Sequence, residues 1–302
     1  MDRFQARQVF VNVAEAGGFA AAGRKLSMSP PSVTRIVSSL EEHLGTALLT
    51  RTTRSVALTE VGTRFLRDSR RLLGELEEAE EAAIGSHVTP RGELRITAPV
   101  LFGGMFVAPI LGDYMDAYQL VTARTVFVDR VVNMNDEGLD VAIRIGELPD
   151  SSLIATRVGT VRRVVFAAPG YLERHGTPAH PDDLKDHKLI SPSALGSNAN
   201  WAFRDGDSLL SVRPAPRLQI NTNDAIRDLV TQGWGISRLL SYQVAQRISE
   251  GSVVPLLEAF EPPPHPVHVI HEEGRFVSTK VRSFVDFMVE RLRADPTVNP
   301  SA

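Results

Sequence analysis

The sequence predicts an α/β protein with an all-α N-terminal part, and three observations carry that prediction. Up to about residue 58, short helical patterns alternate with tight turns. From Glu60 to about Ile84, only two glycines interrupt a helical pattern. From 93 to about 293, strand-like and helix-like runs alternate, as in an α/β domain with a mostly parallel sheet. A chain of 302 residues has room for two or three domains.

The elements follow in order. FQARQVFVNVAEAGG puts Phe4, Phe10, Val13 and Ala14 on one helical side and stops at Gly17-Gly18. FAAAGRKL reads as a short second helix and SMSP as a turn. In the third helix, Val33, Ile36, Val37, Leu40 and Leu44 fall at i, i+3, i+4, i+7 and i+11 and form one buried stripe. Proline disfavours the α conformation in the residue before it, so this helix is expected to begin at Pro31. ALLTRTTRSVALTEVG alternates enough for a small hairpin with its tip near Thr52–Arg54. Thr59 is the expected N-cap of the long helix. There Phe65, Leu72, Leu76, Ala79 and Ala83 recur at spacings of seven, four, three and four. That seam argues for pairing with another helix; the alternative is packing within its own domain. GSHVTPRG reads as a hinge. Beyond it, LRITAP, LVTARTVF, LDVAIRIG, VRRVVFAAP, LQINTN and PVHVIH are strand-like, while MFVAPILGDYMDAY, DAIRDLVTQG and STKVRSFVDFMVERL are helical. Periodicity leaves open whether this zone is one domain or two lobes.

Composition narrows the function. The net charge is −3, but residues 1–74 hold 11 Lys and Arg against 6 Asp and Glu. Five glutamates follow between Glu75 and Glu81. A basic N-terminal part is compatible with phosphate contacts. The absence of cysteine excludes disulfides, thiol redox sensing and Cys-ligated metals. Polar residues interrupt any N-terminal apolar run, and no stretch reaches the ~20 apolar residues of a membrane span. A soluble cytoplasmic protein without membrane contact is expected. His265, His268 and His271 are three apart, so on a strand they alternate faces and are not expected to share a metal. There is no Walker loop, Gly-x-Ser-x-Gly or HExxH, so no enzyme is expected.

Two short helices joined by a tight turn form a helix-turn-helix pattern. Its third-helix stripe leaves Ser32, Thr34, Arg35 and Ser38 or Ser39 on other faces, behind a front end made of Ser29, Pro30 and Pro31. The N-terminal half of a recognition helix meets base edges, and its positive end favours phosphate. Arg35 suits a two-bond contact with a guanine edge, and Ser32 and Thr34 suit base or phosphate. Arg51 and Arg54 on the hairpin suit backbone or minor-groove contacts. The alternative is a generic three-helix unit with solvated hydroxyls.

FAAAGRKLSMSPPSVTRIVSSLEEHLGTALLTRTTRSVALTEVG closely resembles the winged helix-turn-helix of LysR-type transcriptional regulators. GELRITAPVLFG, EGLDVAIRIGELPDSSL, VGTVRRVVFAAPGYLERHGTPAHPDDL, WAFRDG and the C-terminal STKVRSFVDFMVERL resemble the effector domain of the same family. The resemblance spans about residues 1–293. It implies a winged helix-turn-helix over 1–58, a dimerisation linker helix over 59–86 and a hinge over 87–92. It further implies a two-lobed effector domain over 93–293, similar to type 2 periplasmic binding proteins. Lobe I would take about 93–163 and 268–293, lobe II about 164–267, and 294–302 would be a tail. It implies a regulator that binds an interrupted palindrome in double-stranded DNA as a dimer or tetramer, with no cofactor beyond a small organic effector held between lobes. The chain departs from the family where Pro30-Pro31 replaces Gln-Pro, so the base contact made by that glutamine is not carried over. Gly18 and Ala20 replace hydroxyls at the second helix, and Thr34 replaces a serine.

By the same resemblance, the effector site would gather Pro99, Val100, Leu101, Phe102 and Gly103, then Arg144 and Gly146, then Thr222 and Asn223. Exposed amides beside Arg144 would favour a carboxylate effector, with Asp224 capping the helix after Asn223. Phe102 and Trp234 would supply an aromatic wall. The alternative for each is turn chemistry or ordinary core. The rival for the whole chain is a small-molecule enzyme or transport-type binding protein with an accessory helical domain.

Overall fold

The computed structural model describes residues 2–51, 56–84, 89–148, 153–193, 200–272 and 278–299. The chain divides into two compact units, residues 1–89 with the short stretch 274–279, and residues 90–273 with 280–302.

In the first unit, α1 (Arg3–Ala16) is capped by Asp2, whose carboxylate accepts from Phe4 N at 2.9 Å and Gln5 N at 3.4 Å. It ends at Gly17, at a φ of 66°. Phe4 is 49 % exposed, so the buried stripe of α1 runs instead through Ala6, Val9, Phe10 and Val13, at true helical spacing. α2 (Phe19–Lys25) turns into α3 (Pro30–Leu44) through a bond from Met28 N to Gly23 O at 2.8 Å. A Cβ on Gly23 would stand 2.7 Å from the Met28 carbonyl oxygen, so only glycine fits this turn. α3 begins at Pro30, one residue earlier than the sequence suggests. Ser29 is the N-cap, its Oγ accepting from Ser32 N at 3.4 Å, and a proline in the first turn gives up no intrahelical bond. Val33, Val37 and Leu40 are buried, with Ile36 and Leu44 packed against the same core.

The antiparallel hairpin β1 (Leu49–Arg51) and β2 (Val56–Leu58) follows; its tip lies outside the described residues. Glu41 on α3 accepts from Leu48 N at 2.9 Å and Leu49 N at 3.0 Å, tying the hairpin to that helix. Thr59 caps α4 (Glu60–Ile84), its Oγ1 accepting from Gly62 N at 2.9 Å. Phe65 sits 5.5 Å from the Phe10 ring, Leu66 is buried and Leu73 packs on the same core. The early turns of α4 therefore pack within their own unit, and Phe65 belongs to that core rather than to an intermolecular seam. Leu72 and Leu76 are half-buried; the side chains of Ala79 and Ala83 lie outside the described residues.

The second unit contains two five-stranded sheets. The first lobe takes β3 (Gly92–Ala98), α5 (Val100–Ala117), β4 (Val121–Phe127), α6 (Met134–Glu137), β5 (Val141–Ile145) and β6 (Leu153–Val161). After Arg162 the chain enters the second lobe with β7 (Arg163–Ala167), α7 (Pro169–His175), β8 (Leu189–Pro192), β9 (Trp201–Asp205), β10 (Ser208–Val212) and β11 (Leu218–Ile220). α8 (Asn223–Thr231), β12 (Ile236–Leu240), α9 (Ser241–Ser249) and β13 (Val254–Leu256) complete that lobe. The segment EPPPHP leads back into the first sheet as β14 (His265–Glu272), and α10 (Thr279–Ala294) follows.

The sheet orders are β4-β3-β5-β14-β6 and β11-β8-β12-β7-β13. Neither is mostly parallel. Each contains two parallel and two antiparallel pairings, because the chain crosses between sheets twice and each crossing delivers strands running the other way. The crossings also place the lobe boundaries at Arg163 and His265 rather than at 164 and 268, since His265 already pairs with Val161. α5 spans 18 residues at a mean hydropathy of 1.2, enough to cross a membrane by length and composition. Here it connects the parallel strands β3 and β4. Past Arg293 the chain stays packed: Val298 is fully buried, and its carbonyl accepts from Thr160 N at 2.8 Å.

Two glycines of α4 behave oppositely. A Cβ on Gly62 would overlap the Leu48 carbonyl, whereas one on Gly74 meets nothing within 4 Å. In urea unfolding, Gly74→Ala is expected to stabilise by ~0.5–1 kcal/mol. Gly62→Ala should destabilise by about 1–3 kcal/mol despite the same gain in helix propensity.

Candidate DNA-reading helix and lobe cavity

In the first unit, the core side of α3 leaves Pro31, Arg35, Ser38 and Glu42 exposed at i, i+4, i+7 and i+11. This stripe is polar, carries its cation in the N-terminal half and turns acidic at the far end. Arg35 has no ion-pair partner among the described residues. The hydroxyls named from the sequence are already engaged. Ser29 Oγ and Ser32 Oγ lie 2.8 Å apart, and Thr34 donates to the Pro30 carbonyl at 2.9 Å. Arg51 has its backbone in β1 but its side chain lies outside the described residues, and Arg54 lies wholly outside them. Arg24 is exposed in the last turn of α2.

In the second unit, a cavity of about 330 Å3 opens between the lobes. That is a size suited to a small ligand. The first lobe lines it with Val100 and Leu101 at the start of α5, with Phe127 at the end of β4, and with Val128, Asp129 and Arg130 just after it. The second lobe contributes Asn221, Thr222, Asn223 and Asp224, where β11 ends and α8 begins. Both sets lie past the C-terminal ends of parallel strands, where open α/β sheets hold ligands.

Of the residues expected there, Val100, Leu101, Thr222 and Asn223 reach the cavity. Phe102 does not. It is fully buried, its ring 4.7 Å from Phe106 and 5.3 Å from Tyr242, in an aromatic contact that joins the lobes. Trp234 packs on the core with Leu229 and Ile248 and forms no cavity wall. Pro99 accepts from Gly103 N at 2.7 Å and acts in the turn. Gly103 acts indirectly, because a Cβ there would overlap the Phe127 ring, which lines the cavity. Gly146 donates to the Pro266 carbonyl at 2.9 Å beside a chain crossing. Arg144 bends back to the Ile143 carbonyl at 3.1 Å, with Nη2 buried and unpaired.

The electrostatics run against a carboxylate ligand. The amide expected to be free at the start of α5, Val100 N, donates to Asp129 Oδ1 at 3.0 Å. At the start of α8, Thr222 occupies the N-cap position but its side chain makes no capping bond to the backbone, and Asn223 is already helical. Bonds from the Ala225 amide and the Thr222 hydroxyl hold the Asp224 carboxyl below its ordinary range. Both helix ends facing the cavity are thus complemented by the chain's own acids. Arg130 is the cavity's one cation among its lining residues, and it donates to both Glu137 oxygens, at 2.7 and 3.0 Å. The sequence missed Phe127, Val128, Asp129, Arg130, Asn221 and Asp224. Applying the strand-end rule to VFVDR, after β4, would have found four of them.

Residues 4–63 match the family described as "Bacterial regulatory helix-turn-helix protein, lysR family", and residues 87–293 match the "LysR substrate binding domain". An HTH-type transcriptional regulator of Xanthomonas campestris is 36% identical over 95% of this chain and 85% of its own length. The regulator CrgA of Neisseria meningitidis is 34% identical over 94% of this chain and 95% of its own. The transcriptional activator AaeR of Escherichia coli is 33% identical, covering 96% and 95%. The solved structure of CrgA, described as a LysR-type transcriptional regulator, superposes with a TM-score of 0.62 over 95% of this chain and 98% of that one.

Serine at the front of α3 is a structural test in its own right. Ser29→Ala removes the acceptor for Ser32 N and should cost about 1 kcal/mol of stability in urea unfolding, as other N-cap losses do.

Proposed function

Because the chain belongs to the LysR family of DNA-binding transcriptional regulators, we propose that it reads an interrupted palindrome through α3 and responds to a small molecule held in the lobe cavity. It has no enzymatic activity in this reading and works in the cytoplasm as a dimer or tetramer. The observation that carries the DNA half is the exposed stripe of α3, with Arg35 free to meet a base edge. With the Ser32 and Thr34 hydroxyls engaged within the helix, sequence discrimination rests chiefly on Arg35.

For the effector, the two acids and the occupied Arg130 favour a neutral or donor-bearing ligand over the carboxylate expected from sequence. Its apolar part would lie against Val100, Leu101 and Phe127, and its polar end against Asn221 and Asn223. Binding shifts the lobe angle only by as much as it prefers one angle over the other.

A mobility-shift assay tests the DNA half. Arg35→Ala is expected to weaken binding to the chain's own upstream region by ~1–3 kcal/mol while leaving binding to random DNA nearly unchanged. Equal losses on both would make Arg35 a phosphate ligand. For the effector half, a thermal-shift screen of matched amines, alcohols and carboxylates should give stabilisation by the uncharged or amine members that Asn223→Ala abolishes. Stabilisation by the carboxylates alone would reverse the assignment.

A further inference from the structure

Apart from the lobe cavity, the second sheet carries another concentration of charge. Arg163 on β7 and Arg238 on β12 share a face, since Arg238 stands opposite Val165, two residues along from Arg163. Arg238 is only 8 % exposed. Its Nη1 donates to the Ala202 carbonyl at 2.9 Å, and its guanidinium lies 5.0 Å from the Trp201 ring and 5.4 Å from the Phe203 ring. Arg163 donates from Nε to His265 Nε2 at 2.9 Å, so that imidazole nitrogen carries no proton.

Neither arginine has a carboxylate within ion-pair distance among the described residues. Glu261, the nearby acid, is taken by Arg162 at 2.7 Å, and Glu147 acts on His265 only from a distance. Burial pulls both guanidinium groups down, Arg238 to about 9 with the charge of Arg163 adding to the effect, so both stay protonated at neutral pH. A buried cation beside a half-buried one, with no counter-ion, is costly, and aromatic faces offset only part of that cost. Their remaining N–H groups are not among the sealed, unpaired donors, so they open to solvent.

We propose that Arg163 and Arg238, flanked by His265, form a binding site for a small oxyanion, a phosphate or carboxylate group. The planar forks of two arginines match that geometry. The site is separate from the lobe cavity, whose lining includes neither residue. It also has a strategic position. Arg163 opens β7 just after the first chain crossing, and His265 opens β14 just after the second. An anion held there joins the two crossings and biases the lobe angle independently of the cavity ligand.

The test titrates the full chain with sodium phosphate and with sodium acetate, at an ionic strength held constant with chloride. Thermal unfolding should rise by about 2–4 °C at tenfold excess over Kd for at least one of the two anions. Arg163→Gln, at a half-buried position that tolerates the change, should abolish the response, and so should Arg238→Gln. Asn223→Ala, in the lobe cavity, should leave it intact. A wild-type chain indifferent to both anions overturns the site, as does a full response in Arg163→Gln. A response lost in Asn223→Ala and kept in Arg163→Gln also overturns it, placing the anion in the cavity.

Discussion

The second unit depends on the way its chain passes between sheets. The first passage is a single residue, Arg162, and both of its backbone groups are bonded to Ser241: Arg162 N donates to Ser241 Oγ at 3.1 Å and its carbonyl accepts from Ser241 N at 2.8 Å. Its side chain reaches Glu261 at the second passage, at 2.7 Å. Burial pushes the Glu261 carboxyl up and the Arg162 guanidinium works against that rise, and the contact fastens the two passages to each other as well as to α9. Antiparallel strands in both sheets and the cleft between them follow from that arrangement. Two adjacent strands can flex together where a single broad interface would not.

Much of the architecture is legible in the sequence because periodicity reports burial. The Val33, Val37, Leu40 stripe, the Thr59 cap and the hairpin after α3 stand where spacing puts them. Periodicity cannot tell which surface covers a stripe. Phe65 satisfies a seam pattern and a core pattern equally, and its contact with Phe10 is a matter of tertiary packing. Nor does local sequence report strand direction. VRRVVFAAP reads the same whether it runs with its neighbours or against them, and topology decides. GISRLL falls outside the strand-like runs, although as β12 it lies at the centre of the second sheet.

The site is less legible than the fold, and the reasons are physical. Side chains at strand ends can be named from the sequence, but their partners cannot. Asp129 is 29 positions from the amide it accepts from, and Arg130 is spent on Glu137. Those pairings reverse the sign of the cavity as a sequence-level reading has it. Phe102 stands in the right loop but points into the aromatic contact with Tyr242, so proximity in sequence overstated its reach.

The double proline at the front of α3 has a consequence for how the helix meets DNA. Pro30 and Pro31 have no amide hydrogen, Ser32 N is occupied by Ser29 Oγ and Val33 N by the Ser29 carbonyl. A helix start normally offers several backbone donors to a phosphate. This one has none left. In the proposed reading, the helix would meet the groove through side chains alone, and anchoring to the sugar–phosphate chain would fall to residues elsewhere in the unit. On that reading, affinity and discrimination would be built from different parts of the surface, and selection could adjust one with little effect on the other.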